Sequence, residues 1–269
     1  VPTAALLDDD RDHQVFLDQD AVEIAKAVLG EHGLTLDSRV KRSLPKRAQC
    51  VQAFESDLAF VSRLFAEDGL VYYLPLDAPD TLVLSEREAG FDDLPGLSSL
   101  PVQEAGGLES AESVSQARLR RAVVPGKITL RDYDFVKPTL DQAASASAPS
   151  GGSLELYEYP GGYTDPAVGN ELARLRLEAS RARRVVLEAQ TTCRRLSPGY
   201  VLTLDGAAVD AVNGRWLLLE VEHVVAEQRG TGEAYLARFT AVPAADGYRP
   251  PRVAAPKLGG VQTTTVTGP

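Results

Sequence analysis

Ala48-Gln-Cys-Val-Gln-Ala-Phe-Glu-Ser-Asp-Leu-Ala-Phe-Val-Ser-Arg-Leu-Phe-Ala-Glu-Asp-Gly-Leu-Val-Tyr-Tyr73 changes its hydrophobic period twice within 26 residues. Cys50, Gln52 and Phe54 alternate with Val51 and Ala53, the period of a strand. Ser56 stands where a hydroxyl can accept the free N–H groups of a following helix. Leu58, Val61, Leu64 and Phe65 then recur at helical spacing on one face. Gly69 stops that helix, and Leu70 to Leu74 reads as a strand again. Strand, capped helix and strand fill the segment, and none of its side chains forms a catalytic pattern. It reads as scaffold.

The same logic extends toward the N-terminus. The acidic run Asp8-Asp-Asp-Arg-Asp12 precedes a short strand, Gln14 to Leu17. Asp18 or Asp20 can cap a helix whose inner face is Ala21, Ile24, Ala25, Val28 and Leu29, with Gly33 as its left-handed stop. On the other side, Asp77-Ala-Pro-Asp80 has turn chemistry, and Thr81 to Ser85 returns as the partner strand of a hairpin.

Residues 88 to 126 carry little pattern and are expected to form a long connection with one or two edge strands. Gly126 to Phe135 reads as a strand running into a turn. Ala143 to Gly152, rich in Ala, Ser, Pro and Gly, is expected to be a linker and the domain boundary. Beyond it, Leu154-Glu-Leu-Tyr-Glu-Tyr159 alternates and Pro160-Gly-Gly must turn. Asp165-Pro166 is an N-cap followed by proline at the first helical position, where its missing N–H costs nothing. That helix is expected to reach about Arg184, with Leu172, Leu175, Ala179 and Ala182 inward. Strands follow near Val185–Thr192, Tyr200–Leu204, Arg215–Val225 and Glu233–Val242, parted by Ser197-Pro-Gly, Asn213-Gly and Arg229-Gly-Thr-Gly. Four short strands with one helix imply a small closed or nearly closed barrel. From Tyr248-Arg-Pro-Pro251 onward the chain is expected to be extended.

The division expected is residues 1–142 as a first region, 143–152 as linker, 153–247 as a barrel with its helix, and 248–269 as an extended connector. The fold class is α+β, mainly β: small antiparallel β-barrel domains with attached helices.

Composition narrows the function. The 269 residues are 44% hydrophobic and 25% charged, as in a globular domain with a real core. No run reaches the roughly 18 apolar residues that span a membrane. The net charge of −10 disfavours a polyphosphate backbone, so nucleic acid is not an expected partner. No basic n-region with an apolar h-region marks a signal peptide, and the chain has no methionine, so it reads as processed or partial. Of the basic clusters Lys41-Arg42, Arg118–Arg121 and Arg181–Arg184, the last lies on a helix and reads as a solvated face. Cys50 and Cys193 read as buried free thiols, with a disulfide left open.

Chemistry is sparse. His32 precedes Gly33 at a helix end, where a cation suits the dipole, and reads as a cap. His223 reads as a sheet-face residue. His13 borders the acidic run, which lacks the spacing and glycine of a calcium loop. No His-Glu-x-x-His, Gly-x-Ser-x-Gly or phosphate-cradling Gly-x-x-x-x-Gly-Lys occurs, and two isolated cysteines make no zinc framework. Nothing selects one carboxylate pair for glycosidic chemistry. No catalytic, cofactor or metal residue is therefore assigned. Tyr157, Tyr159 and Tyr163 either line a groove or, as the preferred reading, lock the Pro160-Gly-Gly turn against the helix after Asp165.

Four stretches taken in order resemble the VgrG spike proteins of the type VI secretion system, in the family that holds the phage late-control D and tail-hub proteins. They are Cys50–Leu64, Gly69–Tyr73, Leu130-Arg-Asp-Tyr-Asp-Phe-Val-Lys-Pro138, and Glu158-Tyr-Pro-Gly-Gly-Tyr163 with Leu172–Glu178. Leu196-Ser-Pro-Gly199, Asn213-Gly214, Val221-Glu-His223, Tyr248-Arg-Pro-Pro-Arg252 and Gly260-Val-Gln-Thr263 add to them. The resemblance implies the hub of a homotrimeric spike. In it, two related barrels per subunit make a pseudo-sixfold ring that docks on a hexameric tube protein and meets baseplate proteins. Effectors and the spike tip join through C-terminal regions outside this stretch. The stretch itself begins after much of the family's first barrel and stops where an OB-like domain starts. The resemblance also implies assembly in the bacterial cytoplasm, export into a target cell, and a mechanical task without enzymatic activity. The rival readings are a phage-like tail hub, an effector-binding adaptor using residues 88–126, and a cell-wall hydrolase.

Overall fold

The computed structural model describes residues 3–86, 91–103, 112–150, 152–228, 232–257 and 259. The expected turn at Arg229-Gly-Thr-Gly, the match at Gly260–Thr263 and parts of the 88–126 connection lie outside the described residues.

The first unit follows its local signals. It comprises β1 (Arg11–Asp12), β2 (Val15–Gln19), α1 (Ala21–Glu31), β3 (Thr35–Ser38), β4 (Arg47–Val51), β5 (Glu55–Ser56), α2 (Asp57–Glu67), β6 (Val71–Tyr73) and β7 (Thr81–Ser85). Asp20 is the cap of α1. Its carboxylate accepts the N–H groups of Val22 at 2.8 Å and Glu23 at 3.0 Å, and Glu23 reaches back to the Asp20 N–H at 3.0 Å. Ser56 caps α2 through the Ala59 N–H at 3.2 Å. Gly33, at φ +71°, ends α1 as expected. Ile24, Val28 and Leu29 of α1 pack with Phe60, Val61, Leu64 and Phe65 of α2 and with Leu82 and Leu84 of β7 in one core. Leu58, expected inward, is only partly buried, and Phe60 takes the interior place. β4 stops at Val51, and Phe54 adopts φ +55°, so the expected strand is shorter by three residues.

The rest of the chain forms β8 (Leu100–Pro101), β9 (Val114–Arg121), β10 (Lys127–Arg131), β11 (Ala143–Ser147), β12 (Glu155–Glu158), α3 (Pro166–Arg181), β13 (Val185–Thr191), β14 (Val201–Asp205), β15 (Gly214–Gln228) and β16 (Gly232–Pro243). Six of these strands make one sheet in the order β8-β14-β15-β16-β13-β9. The chain beyond β8 returns to the far edge: Val102 bridges Val114, and the Gln103 N–H donates to the Val114 carbonyl at 2.9 Å. The sheet thus closes on itself as a barrel. The sequence led to the expectation of four strands from 185–242; β8 and β9 complete them from the earlier half of the chain. The barrel is filled by Leu187, Leu202, Leu204, Leu217, Leu218, Phe239 and the single tryptophan, Trp216, whose Nε1 donates to the Val212 carbonyl at 2.8 Å.

The expected linker is in part a strand. β11 pairs antiparallel with β10, and β12 pairs parallel on the other side of β10. Helix α3, capped by Asp165 on the Ala167 N–H at 2.8 Å, lies over this three-stranded sheet. Small residues suit β11 because Ala144 shares a buried cluster with Ala173 and Leu177 of α3, leaving room for close helix approach. A boundary at 143–152 would cut this sheet, and one placed before 153 leaves β8 and β9 apart from their barrel. Helix α3 also ends three residues sooner than expected, and its buried positions are Gly169, Ala173, Leu175 and Leu177.

Barrel and first unit are packed directly together. Gly199, at φ +86°, lies so near Tyr73 that an added β-carbon would stand 2.2 Å from the Tyr73 Cβ, so only glycine fits there. Tyr73 and Tyr200 meet edge to face at 5.7 Å.

Candidate functional site

Many of the titratable groups described form ion pairs that join elements. His32 stands at the C-cap of α1, where its backbone N–H donates to the Leu29 carbonyl, and its ring, expected to serve the helix dipole, turns to a carboxylate. Nε2 lies 2.7 Å from the buried Asp57 carboxylate and 3.8 Å from that of Asp10. Gln52, also buried, donates to the other Asp57 oxygen at 2.7 Å. Asp10, His32 and Asp57 are the group whose possible ligand atoms lie within 4.8 Å of one another, among the described residues. Two ligands on one tetrahedral zinc at about 2.05 Å stand about 3.3 Å apart. The 2.7 Å contact is instead a direct hydrogen bond between His32 and Asp57. The acidic run and the Asp at the first turn of α2 were the sequence signals for it, yet nothing in the spacing of 10, 32 and 57 announces their meeting.

His13 lies outside that group. Its ring packs on Phe54 at 5.0 Å between centroids. Its backbone N–H donates to Asp12 at 2.6 Å, and Gln14 donates to the same carboxylate at 2.6 Å. These hydrogen bonds hold the Asp12 carboxyl below its usual range. His223 is exposed on the sheet, with Nδ1 at 2.5 Å from the Tyr235 hydroxyl and Nε2 at 3.1 Å from the Leu196 carbonyl. Cys50 and Cys193 are buried free thiols, and burial pushes both up in pKa, away from thiolate chemistry.

Arginines carry most of the joining. Arg63 is 4% exposed and grips Glu55 with two nitrogens, at 2.6 and 3.1 Å, and Glu67 at 3.3 Å. Arg47 meets Asp68 at 3.1 Å; burial still pushes the Asp68 carboxyl upward against that pull. The basic cluster at the end of α3 is solvent-exposed at Arg183 and Arg184, as expected, and its side chains also find partners. Arg181 donates to the carbonyls of Pro125 and Ser150 at 2.6 Å each, Arg183 pairs with Glu220 at 2.6 Å, and Arg184 with Asp246 at 3.4 Å.

A groove of about 850 Å³ runs between first unit and barrel, lined by Tyr72, Leu76, Phe91, Pro198, Leu217 and Tyr248 among others. Arg183 is the one permanently charged residue in its wall. Tyr73, also there, donates to Asp92 at 3.2 Å, and its hydroxyl is pushed up to about 12, first by burial and then by the Asp92 charge. Such a wall offers contact area and no acid–base pair.

The three tyrosines around Pro160 divide. Tyr163 is buried, and its ring is flanked by Gly161 and Gly169, where any β-carbon would stand 2.4 Å from it. Its hydroxyl donates to the carbonyls of Leu130, at 3.2 Å, and Gln142. It locks the turn as expected. Tyr157 and Tyr159 do not; each is 61% exposed.

Residues 1–229 match the family described as phage tail baseplate hub (GPD). The chain belongs to that family. Among curated relatives of this hub chain is the type VI secretion system spike protein VgrG4b of Pseudomonas aeruginosa, 32% identical over 293 aligned residues; these cover 100% of this chain and 36% of the relative. The VgrG5 spike protein of the same organism is 32% identical, covering 96% and 36%. This hub chain therefore spans about a third of the length of those relatives. Among solved structures, the Escherichia coli c3393 protein superposes with a TM-score of 0.65 at 22% identity, over 96% of this chain and 58% of its own. It is described as a component of the type VI secretion system, structurally similar to the T4 bacteriophage tail proteins gp27 and gp5. The 43 kDa tail protein of prophage MuSo2 from Shewanella oneidensis gives 0.63 at 15% identity, over 87% and 67%. Both likenesses establish the tail-hub fold. No helix among the described residues is long and apolar enough to cross a membrane.

Proposed function

We propose that this chain is the hub portion of a homotrimeric puncturing spike that joins the tube of a contractile injection machine to the downstream spike. The observation that carries the reading is the alignment with VgrG spike proteins along the whole chain, with a closed barrel where a ring-forming hub needs one. In this reading the hexameric tube and the baseplate meet the hub, effectors and tip attach through the downstream spike, and residues 248–257 are the start of the connector. The spike assembles in the cytoplasm and is then injected. The task is mechanical, and no catalytic step is assigned to the chain. The buried arginines Arg63 and Arg249 support this, since both are engaged in joining segments.

The test is made on the protein encoded by the whole gene. Deletion should stop release of the tube protein and of effectors, and negative-stain images should show threefold particles capping tubes. A monomeric product whose deletion leaves secretion intact overturns the reading. The hub of a phage-tail-like particle is the second reading, favoured by the MuSo2 tail-protein likeness. Gene products copurifying as sheathed particles released by lysis would decide for it.

A further inference from the structure

Asp10, His32 and Asp57 come from three separate segments and bring their reactive atoms to one point. His32 stands at the end of α1, Asp57 in the first turn of α2, and Asp10 just before β1. Their possible ligand atoms all lie within 4.8 Å of one another. The backbone fixes two of the three. The Asp57 N–H donates to the Asp10 carbonyl at 3.0 Å, and Arg11 faces Ser56 across the β1–β5 pair. The fold builds the cluster, so little ordering remains to be done when a ligand arrives.

The hydrogen bond between His32 and Asp57 accounts for only part of this arrangement. Nε2 of His32 has one proton to give, and Asp57 at 2.7 Å takes it. Asp10, at 3.8 Å from the same nitrogen, is beyond hydrogen-bond reach. Its carboxylate faces a second carboxylate instead, and like charges at this range repel. Asp8, Asp9 and Asp12 add to the negative field, and Arg11 is the one base in that run. A cation between the two carboxylates would cancel that repulsion.

Gln52 points the same way. It is 0% exposed, and its Nε2 donates to Asp57 at 2.7 Å and to the Glu55 carbonyl at 3.2 Å. Its Oε1 is buried and has no hydrogen-bond partner. Native interiors leave few such acceptors, and each calls for an explanation. The amide holds one carboxylate of the cluster in place, as an outer-shell group does at a metal centre. It also sets an orphaned oxygen beside the cluster. An ion held by three side chains keeps a coordinated water, and such a water is a donor of the kind this oxygen lacks.

We propose that Asp10, His32 and Asp57 bind a divalent transition-metal ion, zinc before others. One imidazole with two carboxylates suits zinc and its neighbours, whereas calcium and magnesium take oxygen ligands. On tetrahedral zinc the ligand atoms stand about 3.3 Å apart. The separations of 2.7 and 3.8 Å bracket that value, so each has to change by about 0.5–0.6 Å. The Asp10 side chain is 60% exposed, which gives it room to move and the ion a way in. The Nε2 proton gives way to the metal, and the neutral ring then carries its proton on Nδ1. The ion staples the end of α1 to the start of α2 and to the segment before β1. The site stands whether or not the chain is a spike hub.

The test uses the 269-residue chain, dialysed against a chelator, with zinc chloride as the probe. Calorimetric titration should show one ion per chain. Zinc at about 100 times its Kd should raise the melting temperature by a few degrees, and magnesium chloride at the same concentration should not. Asp10→Asn changes an exposed side chain; it should melt close to the unaltered chain without zinc and bind zinc at least about tenfold more weakly. His32→Gln should abolish binding, and His13→Ala, which removes the histidine beside the acidic run, should keep it. The inference is overturned if zinc gives no shift, if magnesium does as well, if Asp10→Asn or His32→Gln binds zinc like the unaltered chain, or if His13→Ala abolishes binding. In each of these cases threefold particles from the whole gene would leave the proposed function standing.

Discussion

Arg249 donates through Nη1 to the carbonyl of Gly69 at 2.5 Å, across 180 residues of chain. The same guanidinium reaches the Glu86 carbonyl at 3.1 Å and the Glu178 carboxylate through Nε. One side chain from the exit segment thereby holds the first unit and α3 together, and it is only 8% exposed. Removing it leaves the buried Gly69 carbonyl, the half-buried Glu86 carbonyl and a carboxylate without these donors. Arg249→Met should cost about 2–4 kcal/mol of unfolding free energy, read from urea denaturation. Arg249→Lys should recover little, because an ammonium cannot reproduce the planar fork. A loss under 0.5 kcal/mol for the methionine variant would show that the segments hold without it.

The Gly169→Ala substitution sets two magnitudes against each other. On helix propensity alone alanine should stabilise α3 by about 1 kcal/mol. Its β-carbon, however, would stand 2.4 Å from Cε2 of Tyr163, a ring held on its other side by Gly161. Overpacking of that kind costs about 1–3 kcal/mol, so packing wins and the melting temperature should fall. Tyr163→Phe, which deletes only the hydroxyl shared by Leu130 and Gln142, should cost about 1–2 kcal/mol. If alanine at 169 raises stability, the ring has more room than these distances allow.

Much of this fold could be read in advance because its punctuation is local. Asp20, Ser56 and Asp165 cap the helices they precede, and a cap acts within three residues of itself. The family resemblance was legible for the same reason, since it runs through those capped stretches. What escaped was non-local. β9 reads as an edge fragment because its partner β13 begins 64 residues after β9 ends, at Val185 opposite Arg121. Ala143–Ser147 reads as a linker because small side chains carry no hydrophobic period; only the helix above explains them. His32 is recognisable as a cap and unrecognisable as the partner of Asp57. Leu130–Pro138 carries part of the resemblance, yet no pattern in its letters says that Tyr133 and Phe135 face water.

The pH dependence follows from Asp132. Burial raises its carboxyl, but the backbone N–H groups of Tyr133, Gly162, Tyr163 and Gly161 outweigh that, and the net shift is downward. A carboxyl held lower in the folded than in the unfolded state adds stability above its unfolded value, about 3.9. That contribution fades as pH falls through the folded value. Asp132→Asn should therefore destabilise by about 1 kcal/mol at pH 7, a modest figure because the group is partly solvated. The gap between the two proteins should narrow once pH falls below the unfolded value of about 3.9 and close as it passes the lower, folded one. A gap that persists unchanged into strong acid would assign the effect to shape rather than charge.

Trp216 supplies the last test, of whether the barrel and the smaller sheet unfold as one. It is the single tryptophan, it is 3% exposed, and it sits in the barrel core. Helix α3 belongs to the other sheet, yet its end is latched to the barrel by Arg183–Glu220 and Arg184–Asp246. Surface pairs of this kind contribute about 0–1 kcal/mol each, too little to couple two units alone. The stronger ties are the Arg249 clamp and the Gly199–Tyr73 contact, where exchange of either partner leaves buried groups unmatched. Tryptophan fluorescence and far-ultraviolet circular dichroism should then report one urea midpoint for the unaltered chain. In Arg249→Met the helical signal should be lost first, with the fluorescence midpoint higher by roughly 1–2 M, for a loss of about 2–4 kcal/mol and a slope of about 2 kcal/mol/M. Coincident transitions in that variant would show that the Arg249 clamp does not carry the coupling.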